Sequence, residues 1–247
     1  IGFRAIMVPF CLVWSFYFLF KNINLTPDKK RRGLLSAIYL VLSGIFCGLG
    51  FHTYIAFRFV VVILIVPILM ATLKFFKEYK IRGQFFNTFF KKDLWQYKLW
   101  LLAIILVALP IGLYFLHNPQ DFLGRAGGVS VLAQKNPVKA LFESIIKTLG
   151  MFNVVGDKNW RHNWAGSPQL YFPVGILFLI GIISSLKEFF RSLKNKSESW
   201  GIHLFLLFWF GTMLLPSILT AEGLPHALRT IGTIPVCFIY AAWGGSI

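Results

Sequence analysis

Seven apolar runs, separated by loops in which Lys and Arg accumulate on alternate crossings, constrain this chain more than any other feature of its sequence. The runs are Ile1 to Phe20, Leu34 to Phe51, Ile55 to Leu73, Leu99 to Leu116, Leu170 to Leu186, Ile202 to Leu219 and Ile231 to Ile247. Each approaches the roughly 20 residues that a helix needs to cross the hydrocarbon core. Backbone in lipid must satisfy its own hydrogen bonds, so every run is expected to be helical. The predicted fold is all-α: a polytopic transmembrane helical bundle, one transmembrane domain over 1–247 with a long loop at 117–169.

The loops set the expected orientation. Lys21, Lys29, Lys30, Arg31 and Arg32 fill the first, the segment from Lys74 through Lys98 carries seven basic residues with both ends included, and Lys187, Arg191, Lys194 and Lys196 follow the fifth run. By the positive-inside rule these loops are cytoplasmic. The segments at 52–54, 117–169 and 220–230 then face outside.

Composition narrows the class. A chain that is 57% hydrophobic with 27 Phe is not an ordinary soluble domain. The net charge of +16 need not indicate nucleic acid, because 16 of the 25 Lys and Arg residues sit in the three inner loops, where anionic headgroups attract them. No nucleic-acid partner is expected. Cys11, Cys47 and Cys237 each fall inside an apolar run without a neighbouring metal ligand, so they read as small core residues. Sequence spacing reveals neither a metal site nor a cofactor, and a divalent-metal requirement is left open. With the first run starting outside, a cytoplasmic N-terminus requires an odd number of crossings upstream of Ile1. The chain therefore reads as a fragment of a longer protein.

Two loops carry helical patterns that do not span. Ile81, Phe85, Phe86, Phe89 and Phe90, with Arg82, Lys91 and Lys92 alongside, suit an interfacial helix on the inner side. On the outer side Asn136-Pro137 supplies a cap and a first-turn proline, and Val138, Leu141, Phe142, Ile145, Leu149 and Phe152 follow at helical spacing. That amphipathic helix is expected to lie on the outer membrane surface, or simply to pack on its neighbours.

The densest polar cluster is Asp157-Lys158-Asn159-Trp160-Arg161-His162-Asn163-Trp164, in the outer loop. Asp157 can accept a proton from a hydroxyl, Arg161 can hold a phosphate, and the Trp and Asn side chains suit a sugar. An ordinary solvated loop with interfacial Trp residues is the competing reading. Two further polar groups share the outer level: His52-Thr53-Tyr54 with Arg58, and Pro225-His226-Ala227-Leu228-Arg229. In regular helices Tyr54 and Arg58 share a face, as do His226 and Arg229. An Arg inside the lipid edge needs an anion or a snorkelling route, and a lipid phosphate is such an anion.

Gly48-Leu49-Gly50-Phe51-His52-Thr53-Tyr54 with Arg58, Asn118-Pro119-Gln120-Asp121-Phe122 with Arg125, the Gly156 to Asn163 segment, and Pro225 to Arg229 with Pro235 together resemble bacterial relatives of the protein O-mannosyltransferases, glycosyltransferase family 39 of the GT-C fold. The resemblance implies a bacterial plasma-membrane enzyme that moves a sugar from a polyprenyl-phosphate carrier to a protein, glycan or lipid acceptor on the extracytoplasmic side. The family's main catalytic carboxylate belongs to a loop expected upstream of Ile1, which leaves Asp157 as the candidate within this chain. Arg58, Arg229, His226 and Tyr54 are expected to hold the donor phosphate, and Asp157, Arg161, His162 and Asn163 to line the acceptor or sugar side. The alternatives are a transporter or lipid flippase without covalent chemistry, whose mark would be broken helices, and a noncatalytic membrane scaffold.

Overall fold

The computed structural model describes residues 2–25, 29–82, 94–122 and 129–247. Its elements are α1 (Gly2–Ile23), α2 (Lys29–Gly50), a 3-10 turn (Ile55–Phe59), α3 (Val60–Ile63), α4 (Ile65–Arg82), α5 (Leu94–His117), a short 3-10 turn (Val131–Ala133), α6 (Pro137–Gly150), α7 (Phe172–Lys194), α8 (Trp200–Ile218), a 3-10 segment (Ala227–Thr233) and α9 (Ile234–Gly245). Seven of the helical stretches among the described residues are long and apolar enough to cross a membrane, and they match the seven apolar runs. The all-α polytopic bundle is therefore present. Among the described residues there is no strand, only an isolated antiparallel bridge between Ser130 and Thr220. The expected inner interfacial helix from Phe85 to Lys92, and Arg125, lie outside the described residues.

Because lipid is as apolar as Leu, hydrophobicity alone cannot hold these helices together, and close backbone approach at small residues takes over. A Cβ on Gly181 of α7 would stand 1.8 Å from the Tyr240 carbonyl oxygen of α9, and one on Gly244 of α9 would stand 2.0 Å from the Leu177 carbonyl of α7. The two helices press together through reciprocal notches one turn apart. Helix α5 seats on α2 in the same way, with Gly44 under the Trp100 carbonyl and Gly48 against Val107, and Trp100 Nε1 donates to Ser43 Oγ at 3.2 Å. Helix α8 is the central post: Phe205, Leu206, Trp209, Phe210, Met213 and Leu214 are all buried.

The third and seventh apolar runs are not the regular helices that their hydropathy implies. The third starts as a 3-10 turn, continues as α3 and restarts after Leu64; the seventh starts as a 3-10 segment and becomes α-helical only at Ile234. A proline explains each break. Pro67 and Pro235 have no N–H to offer the carbonyl four residues back, and their rings crowd that carbonyl, so each is accommodated in the first turn of a new helix. The 3-10 segment Ala227–Thr233 is fixed by Trp209 Nε1, which donates to the Gly232 carbonyl at 3.0 Å. Here the break matters, because it brings the start of the seventh span toward the long loop.

Helix α6 begins where its cap predicts: Asn136 Oδ1 accepts from the Lys139 N–H at 3.2 Å, with Pro137 in the first turn. Its protein-facing side is the hydroxyl one. Ser144 and Thr148 are buried against the end of α8, with Thr148 Oγ1 3.0 Å from Ser217 Oγ. Val138, Phe142 and Leu149 are 79%, 64% and 49% exposed, whereas Leu141 and Ile145 are partly buried and Phe152, beyond the end of the helix, is packed in the core. The expected stripe is therefore split between an outward part and a part packed on the bundle.

Candidate functional site

The site is built by a loop that folds back on itself. The Gly156 N–H donates to the Gly166 carbonyl at 3.1 Å and the Gly166 N–H returns to the Asp157 carbonyl at 2.9 Å. The neck is cinched because a Cβ on Gly156 would fall 1.9 Å from the Ser167 carbonyl oxygen. Asn163 serves the loop: its Nδ2 donates to that carbonyl at 2.5 Å. The result is a carboxylate turned inward, with Asp157 only 4% exposed.

Both carboxylate oxygens are used. Oδ1 accepts from the Asn159 N–H at 2.8 Å. Oδ2 accepts from His162 Nδ1 at 2.9 Å and from the Ala227 N–H at 2.9 Å. That second backbone donor begins the 3-10 segment of the seventh span, just after the cis Leu224–Pro225 bond. His226 Nδ1 lies 4.0 Å from the same Oδ2, and the His162 and His226 rings stack with centroids 4.7 Å apart at 29°. Burial alone would raise the Asp157 pKa, but the bonds from Asn159, Ala227 and His162 outweigh it and hold the group below the usual carboxylate range. Burial, reinforced by the positive charge of Arg229, pushes His226 down to about 4, so at neutral pH its ring is uncharged.

Beside this cluster lies a cavity of about 320 Å³. His162, Gln169 and Ala227 stand with Met151, Phe152, Leu170, Ile231, Phe238 and Ile6 in its largely apolar wall. Gln169 Nε2 is buried there without a hydrogen-bond partner among the described residues.

The remaining candidates divide. Arg229 joins the cluster's turn, since its N–H donates to the His226 carbonyl at 3.2 Å. Its Nη1 donates to the Glu222 carbonyl at 2.7 Å, and it stands within electrostatic reach of Tyr54 and Asp157. Arg58 is engaged by other groups: its guanidinium lies 4.0 Å from the Phe122 ring centroid and 4.7 Å from that of Phe115, and Nη1 donates to the Phe122 carbonyl at 3.3 Å. Tyr54 and Arg58 do not share a helical face, because Tyr54 is extended and the turn after it is 3-10. Arg161 is exposed, and its N–H closes a turn on Asn159 Oδ1 at 3.0 Å. The expected division between a phosphate group containing His226 and an acceptor group containing Asp157 and His162 is also absent: the three form one cluster. No sequence spacing signals that union, because Ala227 and Asp157 are 70 residues apart.

Fold and site together define a polytopic helical membrane protein with a buried carboxylate–imidazole cluster where the long loop meets the broken seventh span. Compared with protein-family models, curated proteins and solved structures, the chain matches none.

Proposed function

We propose that this chain acts in an integral membrane glycosyltransferase that transfers a sugar from a polyprenyl-phosphate donor to an acceptor on the extracytoplasmic side of a bacterial plasma membrane. The observation that carries the reading is the junction of a buried polar cluster with an apolar cavity, His162 and Ala227 belonging to both, while Arg229 lies between the cavity-lining Leu228 and Thr230 and within electrostatic reach of Asp157. Such a junction suits a ligand that is anionic at one end and hydrocarbon at the other. In the reaction an acceptor oxygen bonds to the anomeric carbon as the bond from that carbon to the phosphate oxygen breaks. The phosphate takes the electron pair, and the acceptor's proton passes to a base. Asp157 is poorly suited to be that base, because its oxygens already accept three hydrogen bonds and its pKa is lowered. It suits an anchoring role, while Arg229 meets the developing phosphate charge.

In membranes carrying the full-length protein, Arg229→Ala is expected to lower release of polyprenyl phosphate from a radiolabelled polyprenyl-phosphate sugar by about 100-fold, with Arg229→Lys recovering only part of it. Wild-type turnover in Arg229→Ala would sink the phosphate role. Arg58→Ala should behave differently: its ring contacts are worth about 1 kcal/mol, so the melting temperature drops by a few degrees while turnover stays within about threefold.

A lipid transporter without covalent chemistry draws support from the broken third and seventh spans. It requires the labelled donor to cross the bilayer of reconstituted vesicles intact, with its sugar still attached.

A further inference from the structure

We propose that Asp157, His162 and His226 form a binding site for a divalent transition metal of the zinc type. Their ligand atoms all lie within 4.8 Å of one another. Zinc bonds to nitrogen and oxygen of about 2.0 to 2.2 Å put neighbouring ligand atoms roughly 3.3 Å apart around a tetrahedral ion. The separations from Asp157 Oδ2, 2.9 Å to His162 Nδ1 and 4.0 Å to His226 Nδ1, bracket that value. Completing the geometry draws His226 toward the carboxylate and turns both imidazole rings, since the ligand atoms now lie within 4.8 Å of one another rather than at tetrahedral spacing.

Three features distinguish this arrangement from an ordinary buried His–Asp pair. The first is the orphaned nitrogen. His226 Nδ1 is buried without a hydrogen-bond partner among the described residues, at 4.0 Å from a carboxylate oxygen. If that nitrogen carries a proton, the distance is too long for a hydrogen bond; if it is bare, a lone pair faces a negative charge. A cation between the two atoms resolves both cases. The second is that both Nδ1 atoms lie within 4.0 Å of one carboxylate oxygen; the rings stand 4.7 Å apart and near-parallel, so ligation of one ion turns them out of that stack until both in-plane lone pairs converge. The third is support around the carboxylate: the Asn159 and Ala227 N–H groups fix both oxygens, and neither bond has to break when His162 exchanges its Nδ1 proton for the metal.

Two nitrogens and one carboxylate oxygen suit zinc or a neighbouring late transition ion better than magnesium or calcium. Three protein ligands leave a fourth position open, as in exchangeable rather than closed structural sites. The cavity lined by His162 and Ala227 borders the cluster on one side. The nearby positive charge of Arg229 opposes the ion, and the Asp157 carboxylate offsets it. The site does not depend on the glycosyltransferase reading, since a transporter or scaffold could hold the same ion.

The test uses the full-length protein, purified in detergent through a tag without histidine, stripped with a chelator and titrated with zinc and cobalt. The expected result is one equivalent of tightly bound metal, intense visible bands from cobalt in a four-coordinate site, and a melting temperature raised by zinc. His162→Gln and His226→Gln should each weaken zinc binding at least 100-fold. Their melting in chelator serves as the check that they fold, and whichever variant folds carries the test. Wild-type protein that binds no stoichiometric metal, or folded variants that keep wild-type affinity, would overturn the proposal. Because the readout involves no lipid-linked sugar, failure here leaves the transferase reading intact, and loss of transfer does not touch the metal site.

Discussion

Asp157→Asn is expected to be among the most damaging single-atom changes available in this protein. Both oxygens of Asp157 accept backbone N–H bonds, one from Asn159 and one from Ala227. Whichever way an amide is turned, its NH₂ must therefore face an N–H donor, and His162 loses its charged acceptor. One unsatisfied buried donor and one weakened charge-assisted bond cost on the order of 3 kcal/mol, or about 5 to 10 °C in melting temperature for a chain of this size. Turnover of a polyprenyl-phosphate sugar is expected to fall by at least about 100-fold, since the loop that carries His162 loses its tie to the seventh span. Thermal melting in detergent and limited proteolysis across 150–170 check the first part, and product release checks the second. A variant that melts like the wild type would remove Asp157 from its anchoring role; a variant that turns over like the wild type would remove it from the site.

Adding a single methyl at Gly181 is expected to cost as much by a different route. The new Cβ would fall 1.8 Å from the Tyr240 carbonyl, a backbone atom that cannot move aside as a side-chain end can. Helices α7 and α9 must part, and the matching notch at Gly244 opens with them. Gly181→Ala should cost about 3 kcal/mol, and Gly181→Leu should prevent accumulation of folded protein in the membrane. Gly211→Ala supplies the contrast, because a Cβ there meets nothing within 4 Å; replacing a helical glycine with alanine at an open position is neutral or slightly stabilising. Membrane accumulation and detergent melting of the three variants should rank Gly211→Ala first and Gly181→Leu last. Equal behaviour would mean that the α7–α9 contact does not hold the bundle.

Much of the fold was legible because its determinants are local. A run of about 20 apolar residues in lipid has only the helix available to it, so the seven spans follow from length and composition. The start of α6 was equally readable, since an Asn cap and a first-turn proline act on neighbouring backbone groups. The broken spans were not legible in the same way: Pro67 and Pro235 stand at the breaks, but Pro110 lies inside the continuous α5, and a hydropathy window averages across all three.

The site was legible only in part. Asp157, His162 and Asn163 stand close in sequence, and the loop that joins them could be recognised as polar and distinctive. The partnership with His226 and Ala227 could not, because it depends on where the seventh span begins and how the loop packs against it. Arg58 makes another contact the sequence did not signal: its guanidinium lies against the Phe115 and Phe122 rings, residues far along the chain from it. Helix α6 is a similar case, for Ser144 and Thr148 face the protein while Val138, Phe142 and Leu149 face outward.

The sequence by itself determined that this chain carries seven apolar runs long enough to cross a membrane as helices, and seven such helices stand among the described residues, because a backbone in lipid must satisfy its own hydrogen bonds. Only the tertiary structure decided which helices meet and which polar groups converge. Apolar residues cover both the lipid-facing and the buried sides of these helices, so hydropathy carries no signal of which side is which. That choice rests on glycine notches, proline breaks and a single inward carboxylate, whose partners lie in segments distant along the chain.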